Sequence, residues 1–216
     1  MFTNILFDLD GTLLDSLADL AESMNTVLVR LGLPPHPQAA YRYFVGDGMD
    51  TLARRVLPPT RRDETMVAQV VAAMRAEYAT RWAVKTRPYG EVPELLDALA
   101  ERGVGMVILS NKPDEFTREV VATLLGRWHF RAVRGVLTGG PKKPDPAGAM
   151  ALAAQLGVPP GEFLYLGDTN TDMLTANRAG MFAVGALWGF RTAEELKKNG
   201  AKALIARPRE LLNLLS

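Results

Sequence analysis

The 216-residue chain contains no cysteine, which excludes disulfides, thiolate nucleophiles and thiolate metal sites. It has only two histidines, His36 and His129. That is too few for an imidazole cage around a metal, and each is expected at the surface or in a loop. A surplus of either charge is also missing: 25 Lys and Arg stand against 24 Asp and Glu. The basic excess of a nucleic-acid binder or of a protein held on an anionic membrane is therefore absent. No apolar run approaches the ~20 residues needed to span a bilayer. No basic residue precedes Arg30, so the amino terminus lacks the positive region of a secretory signal. These absences lead us to expect a soluble, cytoplasmic protein, monomer or homodimer, acting on a small molecule, with neither nucleic acid nor membrane as partner. What is present is 48% hydrophobic residues, enough for a sizeable core in about one to two domains. Internal repeats, low-complexity tracts and long linkers are not visible.

The apolar spacing divides the chain. From about Leu17 to Trp82 it is helical: residues 17–32 carry apolar positions three and four apart and end at Gly32, before prolines 34, 35 and 37. Residues 47–57 and 63–82 fit further helices. After Pro88 short apolar runs alternate with helical patterns. Strands are expected at 104–111, 132–138, 162–168, 181–189 and 202–206. Helices are expected at 92–103, 114–126, 145–157, 171–180, 192–200 and 208–215. Such alternation implies a parallel sheet with helices on both faces and right-handed crossovers. The first apolar run, Ile5 to Phe7, belongs to the same sheet by pattern. The chain thus reads as an α/β core of residues 1–15 and 83–216, with an α-helical insertion of residues 16–82.

In an open parallel sheet, ligands bind at the carboxyl ends of the strands. Polar residues fall there. Asp8 and Asp10 follow the first strand, and a two-residue period carries both to one side if the strand continues. Two carboxylates about 4 Å apart repel by about 4 kcal/mol at an effective dielectric of ~20, so a cation or a shared proton is implied. Ser110 and Asn111 end the second strand, and Gly167 and Asp168 a later one, with Asp172 just beyond. The loop Gly139 to Pro146 brings Lys142 and Lys143 before a helix whose amino-terminal dipole favours an anion. A blander reading makes Asp and Gly ordinary turn residues, with Ser16 and Asp19 forming a helix capping box. It explains Gly11 and Ser16 but requires a separate coincidence at each strand end.

These motifs, Asp8-Leu-Asp10-Gly11-Thr12, Ser110-Asn111, Lys143 in Lys-Pro-Asp-Pro, and Gly167-Asp168-Thr169 with Asp172, resemble those of the haloacid dehalogenase-type (HAD) phosphatases in order and along essentially the whole chain. Finer features are similar to the phosphoglycolate phosphatase branch: Ser110-Asn111-Lys112-Pro113, Val45-Gly46-Asp47-Gly48 and Trp188-Gly189-Phe190-Arg191. The link from Leu137 to Lys143 is shorter and less acidic than is usual there, which bears on whether Lys142 or Lys143 is the motif lysine; Pro144-Asp145-Pro146 favours Lys143. The resemblance implies a Rossmann-like core with a mobile helical cap and magnesium-dependent hydrolysis of a small phosphate monoester through an aspartyl-phosphate. It makes Asp8 the nucleophile and Asp10 the acid and base. Magnesium would be held by Asp8, the Asp10 carbonyl and Asp168, with Asp172 supporting that shell. Ser110, the Asn111 amide and Lys143 would bind the phosphoryl group, and Gly46, Asp47 and Gly48 of the cap would read the leaving group.

Rivals differ in class. A receiver-like phosphoacceptor module also joins a strand-end Asp to a hydroxyl and a Lys, but has no helical insertion after its first strand. Dehalogenases of this fold lack the second Asp of the first motif, which Asp10 supplies. A phosphomutase or a pyrophosphatase of the same superfamily remains open. No Gly-rich dinucleotide or P-loop signature appears.

Overall fold

A computed structural model describes residues 2–215, and it resolves into two compact units, Met1–Asp15 with Pro88–Ser216, and Ser16–Arg87. The first unit is built on a six-stranded parallel sheet. Its strands are β1 (Asn4–Phe7), β4 (Gly105–Pro113), β5 (Ala132–Val136), β6 (Phe163–Gly167), β7 (Phe182–Ala186) and β8 (Ala203–Ile205), in the order β5-β4-β1-β6-β7-β8. Two short strands, β2 (Leu14–Asp15) and β3 (Arg87–Pro88), pair with each other at the chain crossings. Helices α5 (Val92–Glu101), α6 (Asp114–Leu124), α7 (Ala147–Leu156), α8 (Asn170–Arg178) and α9 (Ala193–Lys198) alternate with the sheet strands. This is the expected α/β architecture.

Strand β1 lies at the centre because it is apolar on both faces. Ile5, Leu6 and Phe7 are fully buried, each burial worth roughly 1.5–3 kcal/mol. The register aligns the ends of the neighbouring strands with it: Phe7 pairs with Ile108 on one side and Leu166 on the other. Residues just past these positions on three strands are thereby delivered to one edge of the sheet. Below them Leu6, Val107, Leu109, Ala149, Leu152, Phe163, Tyr165 and Met173 close a continuous core.

The second unit holds α1 (Leu17–Arg30), α2 (Tyr41–Phe44), α3 (Met49–Val56) and α4 (Glu64–Ala79). Leu20, Met24, Val27 and Leu28 of α1 are buried at helical spacing, as are Val67, Val70, Met74 and Tyr78 of α4, and the two helices pack together. Asp63 caps α4 by accepting from the Met66 amide at 3.0 Å, one of the orphan donors of a helix start.

Three expectations need correction. The Ser16 to Asp19 capping box of the blander reading does not form, because the Ser16 side chain makes no cap bond. Asp19 is instead drawn to the returning chain, accepting from the amides of Lys85 and Thr86 at 2.9 and 2.8 Å and from Thr86 Oγ1 at 2.7 Å. That attachment is also why residues 83–87, grouped with the core on pattern, fall in the helical unit. Finally, Pro208–Leu214 is a 3-10 stretch rather than an α-helix. Its buried residues, Pro208 and Leu211, are three apart, the spacing that a three-residue turn places on one face. Among the described residues no helix is long and apolar enough to cross a membrane.

Candidate active site

Asp8 follows β1 directly, its amide donating to the Leu166 carbonyl at 2.9 Å. Asp168 follows β6, and Asp172 occupies the first turn of α8. Each of the three offers a carboxylate oxygen within 4.8 Å of the others, and all three residues are buried. Lys143 enters from the loop before α7. Its ammonium donates to Asp8 Oδ1 at 2.6 Å, Asp172 Oδ1 at 2.7 Å and the Leu109 carbonyl at 3.3 Å, using all three of its N–H groups. Of the two neighbouring lysines it is Lys143 that enters the cluster, whereas Lys142 is exposed.

Asp10 departs from expectation. The strand ends at Phe7 and a turn begins at Gly11, so the two-residue period does not extend to Asp10, and Asp10 is not among the carboxylates that lie within 4.8 Å of one another. Asp10 instead meets Lys112, whose ammonium lies 3.1 and 2.9 Å from its two oxygens. The crowding inferred for Asp8 and Asp10 is found among Asp8, Asp168 and Asp172.

The remaining residues hold this arrangement. Asn111 makes a reciprocal pair with the Lys143 backbone, Nδ2 to the carbonyl at 3.0 Å and the amide to Oδ1 at 2.8 Å. Its side chain is thus spent on fixing Lys143. Ser110 Oγ accepts from the Lys112 amide at 3.1 Å, leaving its hydroxyl proton for another acceptor. Thr169 and Asp172 form a true capping box at the start of α8. Asp172 Oδ2 accepts the Thr169 amide and hydroxyl at 3.0 and 2.6 Å. Gly46, Asp47 and Gly48 lie in the helical unit, between α2 and α3, where Asp47 Oδ2 stands 2.5 Å from the Arg55 guanidinium.

Sequence reasoning gave no role to the groups that orient Asp168. Its Oδ1 accepts from Thr12 Oγ1 at 2.9 Å and its Oδ2 from the Phe190 amide at 2.7 Å. A Cβ on Gly189 would stand 2.2 Å from Asp168 Cβ, and one on Gly11 would stand 2.4 Å from Asp168 Oδ2, so only glycine admits the carboxylate there. The residues after β7 also lie at a strand's carboxyl end, and the same rule applied once more would have flagged them. Lys112, two residues past Ser110, was equally within its reach.

Electrostatics favour an added cation. Burial, reinforced by Asp172, pushes the Asp8 carboxyl well above the usual range despite Lys143. Burial and Asp172 likewise push Asp168 up to about 7, against the bonds from Phe190 and Thr12. Burial opposes charge on Lys143, but Asp172 and Asp8 outweigh it and hold the ammonium well above the ordinary lysine value. With all three carboxylates ionised against one ammonium, the cluster carries −2, while Asp10 and Lys112 cancel. One divalent ion restores neutrality. The donors are all carboxylate oxygens, a set suited to a hard cation. Asp8 Oδ2 accepts no hydrogen bond among the described residues, so it is open to an ion or a substrate.

Comparison with known proteins agrees. Residues 5–186 match the family model of the haloacid dehalogenase-like hydrolases. A phosphoglycolate phosphatase of Aquifex aeolicus is 33% identical over 211 residues, covering 98% of this chain and 95% of its own. One from Pseudomonas putida is 33% identical over 212 residues, covering 96% of this chain and 78% of its own. The crystal structure of a predicted phosphoglycolate phosphatase from Haemophilus somnus superposes with a TM-score of 0.91 at 26% identity, covering 100% of this chain and 98% of that one. The chain belongs to the haloacid dehalogenase-like hydrolases, and within that family it is a phosphatase.

Proposed function

We propose that the protein hydrolyses a small phosphate monoester of the phosphoglycolate type, with Mg2+ and through an aspartyl-phosphate on Asp8. The observation that carries this reading is the buried cluster of Asp8, Asp168 and Asp172 closed by Lys143, with one oxygen of Asp8 left open. The similar proteins called phosphoglycolate phosphatases support the substrate class.

Phosphate-ester hydrolysis presents a charge problem, since an anionic nucleophile must approach an anionic phosphoryl group. Lys143 lies on Asp8 and would neutralise both partners. Asp8, the Asp10 carbonyl and Asp168 would hold the magnesium ion, with Asp172 fixing Lys143 and supporting that shell. The ion would supply positive charge to the phosphoryl oxygens and to the attacking carboxylate. The Ser110 hydroxyl and the Asn111 amide would donate to phosphoryl oxygens.

In the first step Asp8 Oδ2 bonds to phosphorus, the ester P–O bond breaks, and Asp10, which must enter this step protonated, gives that proton to the departing alkoxide. In the second, water attacks phosphorus, Asp10 takes its proton, and the bond to Asp8 breaks to release phosphate. Gly46, Asp47 and Gly48 would read the leaving group from the helical unit acting as a cap. We place the enzyme in the cytoplasm, as a monomer or homodimer.

The test is phosphate release from a panel containing 2-phosphoglycolate, sugar phosphates and pyrophosphate, with Mg2+ and with chelator, for the wild type and Asp8→Asn. We expect release from monoesters with Mg2+ alone and none from the variant. Wild-type turnover by Asp8→Asn would overturn the nucleophile. Sugar-phosphate isomerisation without free phosphate would favour a mutase, and release from pyrophosphate alone a pyrophosphatase.

A further inference from the structure

The Lys112 ammonium bonds both oxygens of Asp10, at 3.1 and 2.9 Å, and its side chain is only 4% exposed against 17% for Asp10. This pair calls for a reason beyond stability. A buried ion pair is often matched or exceeded in stability by well-packed apolar residues of the same volume. Lysine also loses much rotamer freedom when it is held in one place.

The surroundings make Lys112 a fixed post. Its amide donates to Ser110 Oγ at 3.1 Å, and its carbonyl accepts from Thr117 Oγ1 at 3.2 Å. The next residue, Pro113, is in register with Val136 of β5. Close packing reinforces this, because a Cβ on Gly135 would stand 2.6 Å from the Lys112 carbonyl oxygen. The Asp10 backbone is fixed as well: Asp10 bridges to Leu14, and the Gly11 amide donates to the Leu14 carbonyl at 2.9 Å. One rigid element therefore holds the plane of a carboxylate borne by another. The same β4 segment carries Ser110, so the group that would bind phosphate and the group that orients Asp10 are two residues apart.

We propose that Lys112 is a positioning residue that fixes the Asp10 carboxylate in the orientation needed for its proton transfers. The proposal rests on Asp10 serving as the acid and base of the hydrolysis, and it assigns Lys112 no contact with substrate. Its consequence is a dependence on the leaving group. An alkoxide needs a proton from Asp10 as the ester bond breaks, whereas nitrophenolate is stable enough to leave without one.

The experiment compares the wild type, Lys112→Met and Lys112→Arg on 2-phosphoglycolate, ethyl phosphate and p-nitrophenyl phosphate. Met keeps an unbranched apolar side chain only one atom shorter than that of Lys and removes the ammonium. Because the later hydrolysis of the Asp8 phosphate is common to all substrates, the comparison is made in kcat/KM, which reports steps up to loss of the leaving group. We expect Lys112→Met to lose on the order of 10²-fold on both alkyl esters and less than about threefold on p-nitrophenyl phosphate, with Lys112→Arg recovering most of the loss. Equal losses of kcat/KM on all three substrates would reduce Lys112 to a structural part and overturn the proposal. A raised KM confined to 2-phosphoglycolate would overturn it too, making Lys112 a ligand of the substrate carboxylate. A crystal structure of Lys112→Met supplies a readout independent of turnover. The proposal requires the Asp10 carboxylate to leave its place, and an unmoved carboxylate refutes it. Failure of the wild type to release phosphate from any ester would instead strike the hydrolase reading, and the crystallographic result would still decide the role of Lys112.

Discussion

Replacing Asp168 by Asn should stabilise the metal-free protein in alkaline solution and destabilise it in acid. Asp168 is fully buried, and its folded pKa is pushed from 3.8 up to about 7, first by burial and then by Asp172. Below 3.8 the group is protonated in both folded and unfolded chains and costs nothing. Between 3.8 and about 7 the folded chain keeps a proton that the unfolded chain has released, so stability falls as pH rises. Above that window the cost is complete. A difference of ~3 pH units at 1.36 kcal/mol each gives about 4 kcal/mol. Asparagine removes the charge but accepts at only one atom, whereas Asp168 accepts from both Thr12 and Phe190. The donor left over costs about 1–3 kcal/mol at any pH. Net, Asp168→Asn should be more stable than the wild type by about 1–3 kcal/mol near pH 8, and less stable by a similar amount near pH 4. Urea titrations in chelator across this range measure both. Magnesium should then restore the wild type at pH 8 by mass action and leave the variant unmoved. A variant weaker by a constant amount at every pH, or one that magnesium stabilises as well as it does the wild type, would refute the reasoning.

Three other outcomes are expected from the same structure. Gly189→Ala places a Cβ 2.2 Å from Asp168 Cβ, so it should lower Tm and weaken magnesium binding by calorimetry, whereas alanine at Gly161, which meets nothing within 4 Å, should do neither. Asp19→Ala strips the acceptor from two amides and a hydroxyl at residues 85 and 86, and should cost about 2–3 kcal/mol in chemical denaturation. At Asp114, burial opposes the charge but the Arg118 bond and the Gly135 amide outweigh it and lower the pKa. The stability it confers is therefore present above 3.8 and lost as pH falls through the lower folded value. Asp114→Asn should cost about 1 kcal/mol near neutrality, and the gap should close in acid.

The site was legible in the sequence to the extent that strand ends reveal it. Asp8 and Asp168 come together, with Ser110 on the adjoining strand, because the apolar runs pair in parallel and in register, as Phe7 with Ile108 and Leu166 shows. Periodicity carries no record of which side chains meet across distant turns. Lys112 and Asp10 are 102 residues apart, and Thr12 and Asp168 are 156 apart. Once the turn at Gly11 ended the strand period, the partner of Asp10 could only be seen in three dimensions. The Ser16 and Asp19 pattern misled for a related reason: a local capping signal lost to a tertiary one, when Thr86 supplied better donors to Asp19. The 3-10 stretch at Pro208 shows the limit of reading a short segment, since seven residues hold too few turns to separate a period of 3.0 from 3.6.

The most direct test of the whole account is chemical capture of the phosphorylated enzyme. The protein is mixed with substrate carrying a radiolabelled phosphoryl group and Mg2+, quenched in acid within one turnover, digested and mapped by mass spectrometry. The account predicts label on the peptide containing Asp8, absent in chelator and in Asp8→Asn. Phosphate released at the full rate with no labelled protein at any quench time, or label on a residue other than Asp8, would contradict it.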